Sequence, residues 1–200
     1  MTTVLKVNIG DINPQFIHDL KEKFNTSAQV EIRVEEQTHG EGLLSEEQFW
    51  GIIDLLDWSK KNRDEIVAPA VVTLSQMPVS NVYLFKDKLS EKLYHLDTRA
   101  HAKGYMEKQE DDYFSVDDFL YVRCGVVAEG KAYYQSILNN PAEMPGDIDF
   151  EHLLNLADEA YELKTGKPFD YFPIFNYETR SNAEGWKKEI RLIDSTDVRR

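Results

Sequence analysis

Arg123 is the side chain in this sequence whose type and position point most directly to chemistry. It falls on one face of a predicted helix, within a stripe of otherwise apolar or small residues formed by Val116, Phe119, Leu120, Val127, Gly130 and Tyr134. A guanidinium on such a face needs a partner, because a buried charge left unpaired is strongly destabilising. The stripe therefore predicts either a structural ion pair or a pocket in which Arg123 holds an anionic ligand.

Four carboxylates are candidate partners for this arginine. Asp117 and Asp118 lie on the same predicted helix, and Asp54 and Asp97 lie on other segments. If Arg123, Asp117 and Asp118 converged in a cavity, they would form a ligand-binding site. A single carboxylate sealed against Arg123 would instead fix the register of two helices, and buried pairs serve structural as well as functional roles. Both alternatives stay open at this level.

No catalytic residue, metal site or cofactor is predicted. The sequence has no G-x-S-x-G elbow, no G-x-x-x-x-G-K-[ST] loop, no G-x-G-x-x-G turn and no H-E-x-x-H motif. His95 and His101 are spaced so that they occupy different helix faces, and we expect Cys124, the only cysteine, to be a buried unreactive thiol. The acidic run 107–118 indicates a solvated loop, since it lacks the spacing of a calcium-binding loop. Whether the protein is an enzyme stays open.

Charge and hydropathy limit the classes of partner. The net charge of −13 is not offset by a segregated basic patch, so nucleic acid is not an expected partner. Apolar runs are only a few residues long, whereas a membrane helix needs roughly 20, so no membrane association is expected. The residues from Met1 to Lys6 lack the pattern of a signal peptide, and we expect a cytoplasmic protein.

The elements that would position these side chains fall into two parts. Residues 1–40 are predicted to form a β-α-β appendage, because apolar and polar residues alternate over 4–9 and 30–35 and Pro14 can open a helix between them. Residues 41–200 are predicted to form a helical domain of about five helices with an aromatic C-terminal tail. The predicted fold class is therefore α+β, mostly α.

Within the second part, the order of patterns suggests where each helix lies. Residues 45–48 form a capping box, 82–96 a long amphipathic helix, 115–140 the helix that carries Arg123, and 150–164 the last clear helix. The aromatic tail, 169–186, has little helical periodicity. We expect the tail to pack over the helices, because its aromatic side chains would otherwise be left in water.

Several spaced pieces of the helical region occur in a characteristic order. They are Phe49-Trp50 with Ile53-Asp54, then Ser115 to Phe119 continuing through Tyr121, Arg123 and Gly130 to Tyr134, then Asn140-Pro141, Glu159-Ala160-Tyr161 and Thr165-Gly166. Together they resemble the bacterial domain-of-unknown-function family 4240 over roughly residues 46–166. The resemblance implies a helical fold and a bacterial source, and it implies no particular activity.

Two functions are consistent with these observations. We predict an uncharacterised bacterial protein that serves as a protein-binding or regulatory module, with a protein partner or a second copy contacting residues 1–40. The alternative is a small-molecule enzyme or sensor that binds an anionic ligand at Arg123, with Asp117 and Asp118 beside it. A structure separates the two, because the ligand hypothesis requires a cavity next to Arg123.

Overall fold

The computed structural model describes residues 14–24, 43–110 and 113–187 of the chain. The chain divides into two units, Met1–Gln37 and Thr38–Arg200, and each is described by itself. In the first unit the described element is helix α1, Pro14–Lys23, which begins at the proline that the sequence indicated. The two predicted strands, at 4–9 and 30–35, lie outside the described residues.

The regular elements in the described part of the second unit are helices. In chain order these are α2 (Glu46–Ile53), α3 (Arg63–Gln76), α4 (Val79–Leu96), α5 (Arg99–Met106), α6 (Val116–Ala128), α7 (Lys131–Asn139) and α8 (Leu156–Thr165). Two short 3-10 turns, Pro141–Glu143 and Glu151–Asn155, lie between α7 and α8. The capping box at Ser45 is confirmed, because its hydroxyl accepts from the N–H of Gln48 and its own N–H donates to the Gln48 side chain.

The predicted α+β fold class is wrong: over the residues that the structure describes, the chain forms helices and no strand. The prediction rested on two short alternating runs, and a strand becomes stable only when other strands pair with it. The described segments instead repeat their apolar residues at three- and four-residue intervals, so each satisfies its backbone hydrogen bonds locally as a helix. The class for this part of the chain is all-α.

The predicted helix over 115–140 is in fact two helices. Gly130 has a backbone φ of +94°, which an L side chain rarely adopts, and it separates α6 from α7. Its N–H donates to the carbonyl of Val127, which closes the end of α6. The conformational freedom of glycine explains why this position, with its positive φ, is occupied by Gly130.

Helix α4 of the second unit packs against α3, α6 and α8. Its buried apolar residues follow helical spacing and are Val82, Phe85, Leu89, Leu93 and Leu96. Helix α6 presents Phe119, Val126 and Val127 to the same core. Because full burial of a large apolar side chain stabilises by about 1.5–3 kcal/mol, this packing holds α6, and Arg123 with it, in a fixed position.

Candidate functional site

Residues 168–187, which we call the strap, cross the surface of the helical unit without forming a helix or a strand. Exposure alternates along the strap: even-numbered residues from 168 to 180 are exposed, and odd-numbered residues from 169 to 179 are half-buried. A period of two is typical of an extended chain that lies on a surface. The prediction that the aromatic tail packs over the helices is confirmed by the contacts described next.

The inward side chains of the strap meet one face of α4. The helix positions that they contact are Tyr83, Asp87, Tyr94 and, just beyond its last turn, Asp97, which share a face by helical spacing. The ring of Phe169 lies 5.1 Å from that of Tyr83, and the ring of Phe175 lies 5.2 Å from that of Tyr94. Between these ring contacts, the Tyr171 hydroxyl donates to both oxygens of Asp87, at 3.0 and 2.9 Å. The strap and α4 therefore run side by side.

Asp97 is a fully buried carboxylate that holds the far end of the strap. Its oxygens accept from the backbone N–H groups of Arg180 and Asn182, each at 3.0 Å, and from the indole N–H of Trp186 at 2.8 Å. A buried carboxylate is tolerated only when donors surround it, and these donors all belong to the strap. The strap supplies the donors that a buried Asp97 carboxylate needs, and Asp97 in turn holds the strap in place.

Arg123 is fully buried and joins α4 to the strap. Its Nη1 donates to the carbonyl of Leu93 and its Nη2 to the hydroxyl of Thr179, both at 2.9 Å. In a continued α-helix the N–H of Asp97 would donate to the carbonyl of Leu93. Here it donates to the carbonyl of Tyr94 instead. Arg123 therefore satisfies a carbonyl at the C-terminal end of α4, where the helix dipole favours a cation.

The partners of Arg123 differ from the expected ion pair. Among the described residues, its guanidinium donates to a carbonyl and a hydroxyl and lies 5.0 Å from the centre of the Phe119 ring. Asp97 acts on it through charge: burial lowers the pKa of Arg123, and the negative Asp97 opposes that shift. The Nε atom has no hydrogen-bond partner within the part of the chain described. The guanidinium is thus sealed by several weaker contacts instead of one carboxylate.

Asp117 and Asp118 lie on α6 but are not brought together with Arg123. Both are exposed residues in the first turn of the helix, whereas Arg123 is in its buried interior. Acidic side chains in a first turn stabilise a helix through its dipole, and the N–H of Asp118 also donates to the Ser115 cap at 3.1 Å. This arrangement accounts for both aspartates as helix-start residues. Asp54 ends α2 as its C-cap.

A shallow cleft of about 230 Å³ opens beside the start of α6. Its lining consists of Tyr105, Gln109, Asp118, Tyr121, Val122, Gly146, Asp147 and Asp149. Neither Arg123 nor Asp117 is part of that lining. Asp149 forms an ion pair with Arg63 at 2.7 Å, so its negative charge is partly neutralised.

Two outward side chains of the strap are large, apolar and exposed. Phe172 is 88% exposed and Ile174 is 77% exposed. The backbone between them is held in place, because the N–H of Ile174 donates to Asp87 at 3.0 Å and Tyr171 is bonded to the same carboxylate. This pair was not predicted from the sequence. The aromatic residues at odd-numbered positions of the strap were the signal that could have shown that the even-numbered side chains face outward.

Cys124 and His101, whose residue types often serve as a nucleophile and as an acid or base, are both buried in the core. Burial raises the pKa of the Cys124 thiol to about 12, so it is a poor source of thiolate. Burial also lowers the pKa of His101, whose ring nitrogens lie 2.7 Å from the Thr98 hydroxyl and 3.2 Å from the carbonyl of Ile137. Neither residue lines the cleft.

The described ranges carry neither a candidate metal cluster nor a candidate membrane-spanning helix. Within residues 14–24, 43–110 and 113–187, no group of three or more histidine, cysteine, aspartate or glutamate side chains is placed to hold a metal ion. In the same ranges, no helix is both long and apolar enough to cross a membrane.

Comparison with known proteins identifies a family for most of the second unit. A family model described as "protein of unknown function (DUF4240)" matches residues 44–163, which confirms the resemblance drawn from residues 46–166. No curated protein and no solved structure matches the chain. The match contains Asp87, Asp97 and Arg123, and it ends before the strap begins.

Proposed function

The chain belongs to the family described as protein of unknown function (DUF4240), and on that premise we propose that it is a protein-binding module whose contact surface is the outward face of the strap. The observation that carries the proposal is the exposure of Phe172 and Ile174 on a backbone that Asp87 holds in place. Large apolar side chains that protrude from an ordered segment are typical of protein contact sites.

The expected affinity follows from the surface that a partner would cover. Moving a Phe or Ile side chain from water into an apolar pocket stabilises by about 1.5–3 kcal/mol, so the pair contributes about 3–6 kcal/mol. Because the strap is already ordered, little conformational entropy is lost when it binds. Each 1.4 kcal/mol changes Kd about tenfold, so loss of both side chains should raise Kd about 100-fold or more.

The charge of the strap indicates what kind of partner fits. Its segment 168–179 contains Asp170 and Glu178, both exposed, and no basic residue. Asp87 lies beneath the same segment, and the whole chain carries a net charge of −13. The partner that we propose is therefore a protein with an apolar pocket surrounded by basic side chains.

A cross-linking experiment on the full chain tests this proposal. A photoreactive amino acid replaces Phe172 in cells, the cross-linked protein is identified by mass spectrometry, and that protein is purified. Its Kd is then measured by calorimetry against the unmodified chain and against a Phe172→Ser, Ile174→Ser double variant. We expect the double variant to bind about 100-fold more weakly, with a salt-sensitive association rate.

Leu163 provides a matched control, because it is an apolar side chain 60% exposed on α8 rather than on the strap. Leu163→Ser should leave the Kd within about twofold, since mutations outside an interface have little effect on binding. Equal weakening by Leu163→Ser and by the strap variant would contradict the proposal, as would a double variant that binds normally. If the cross-linked protein is a second copy of this chain, the strap serves self-association instead.

Other predictions from the sequence remain proposals. Self-association through residues 1–40 is tested by sedimentation of the full chain over a range of concentrations. Binding of an anionic ligand at Arg123 with Asp117 and Asp118 has less support, because Arg123 has no exposed surface and the two aspartates lie elsewhere on α6. A bacterial source and a cytoplasmic location also remain predictions.

A further inference from the structure

The inward face of the strap is held in the way that proteins hold bound peptides. The strap is extended over 168–178 and turns over 179–187. Two carboxylates and one guanidinium of the helical unit bind it, and the two share no sheet or helix. Asp97 accepts from backbone N–H groups, and Asp87 accepts from a backbone N–H and a tyrosine hydroxyl. These contacts combine recognition of the peptide backbone with recognition of particular side chains.

The spacing of the contacts matches an extended peptide beside a helix. From Asp87 to Tyr94 is seven residues of α4, a rise of about 10 Å. The strap residues that contact them, Tyr171 and Phe175, are four residues apart, about 13 Å in an extended chain. The two lengths are similar, so successive inward side chains of the strap can contact successive residues along one face of α4.

The groups that hold the strap and the strap itself belong to different parts of the chain. Asp87, Asp97 and Arg123 lie within residues 44–163, the part that matches the family, whereas the strap starts at residue 168. The connection passes through Gly166, which has a φ of +68° and no atom within 4 Å of where a Cβ would stand. The strap therefore follows the family region after an uncrowded turn.

We infer that the surface of α4 and α6 beneath the strap is a peptide-binding groove that the chain fills with its own strap. The occupant that the groove accepts is a segment with the chemistry and the shape of the strap, extended in its first half and turned in its second. It carries aromatic side chains at alternating positions, a threonine that meets Arg123, and a tryptophan whose indole N–H meets Asp97. This inference concerns the inward face only, so it does not depend on the function proposed for Phe172 and Ile174.

The test separates the strap from the groove without altering either. A recognition sequence for a specific protease is inserted in the full chain between Lys167 and Pro168, both of which are exposed. After cleavage and removal of the released fragment, helical content is followed by circular dichroism. Binding of a fluorescent synthetic peptide of residues 168–187 is followed by anisotropy. We expect the helical content to be retained and the peptide to bind saturably, whereas the uncleaved chain binds it at least tenfold more weakly.

Variant peptides test whether binding uses the contacts seen in the structure. A peptide with Thr179→Val and Trp186→Ala should bind the cleaved protein at least tenfold more weakly, because it lacks the partners of Arg123 and Asp97. A control peptide with Phe172→Ser and Ile174→Ser should bind within about twofold of the parent peptide, since those side chains face outward. The inference is overturned if helical content is lost when the fragment leaves, or if the parent peptide binds no better than a scrambled one.

Discussion

Replacing Arg123 by methionine tests the structural role of the buried guanidinium. Methionine has a similar length and no charge, so it removes the hydrogen bonds to Leu93 and Thr179 while leaving most of the volume filled. The carbonyl of Leu93 then loses the donor that Arg123 supplies, and the favourable charge interaction between Arg123 and Asp97 is lost. Both changes destabilise the folded state.

The magnitude follows from the contacts. Two hydrogen bonds from a charged donor contribute about 1.5–3 kcal/mol each, or about 3–6 kcal/mol together. Against this, methionine relieves the burial of a cation whose Nε is unsatisfied, which costs about 1–3 kcal/mol. The net expectation is a loss of about 2–3 kcal/mol in the free energy of unfolding.

Urea unfolding followed by circular dichroism measures this loss, and Arg63→Met is the matched control. Arg63 pairs with Asp149 at 2.7 Å, but both side chains are partly exposed, so its replacement should cost less than about 1 kcal/mol. Equal effects of the two substitutions would refute the reasoning. A gain in stability for Arg123→Met would indicate that the arginine is retained for a ligand rather than for the fold.

Three further predictions concern glycine packing, pH and thiol reactivity. A Cβ at Gly104 would lie 2.2 Å from the carbonyl oxygen of Pro141, so Gly104→Ala should destabilise by about 1–3 kcal/mol in urea unfolding. Gly51→Ala, with no atom within 4 Å, should instead stabilise helix α2 by about 0.5–1 kcal/mol. Because burial lowers the pKa of His101, the unfolded chain takes up a proton first, and stability should fall as pH drops below about 6.5. The urea midpoint of a His101→Gln variant should lose that part of the pH dependence; an unchanged slope would contradict the assignment. Cys124, whose pKa burial raises to about 12, should react with a thiol reagent at pH 8 only after urea is added.

Local signals in the sequence were enough to locate most helices of the second unit. Ser45 and Ser115 begin α2 and α6 as predicted, because a capping hydroxyl acts on N–H groups only two or three residues away. The apolar spacing over 82–96 likewise identifies α4, since one buried face is a property of the helix itself. The break at Gly130 had a local signal as well, a glycine inside the predicted helical segment, but the apolar stripe continues across it and concealed the turn.

The α+β prediction was wrong for the residues that the structure describes, which form helices. It relied on two short alternating runs that lie outside those residues, and such a run does not by itself determine a strand, because a strand depends on neighbours that the same residues do not specify. The geometry of α6 places the three residues proposed for the site apart. Arg123, Asp117 and Asp118 are close in sequence, but their side chains leave α6 in different directions and only Arg123 is buried.

By itself, the sequence determined the family, the helical character of residues 44–163, the burial of Arg123 and the packing of an aromatic tail over the helices. Each of these depends on residue type and on spacing within one segment. Only the tertiary structure decided that Arg123 meets the end of α4 instead of a carboxylate. It also decided that the strap uses Asp87 and Asp97 as anchors and turns Phe172 outward. The contact of Arg123 with α4 joins residues 30 positions apart, and the anchors of the strap join residues 84 and 85 positions apart. Their geometry exists only once α4, α6 and the strap are packed together.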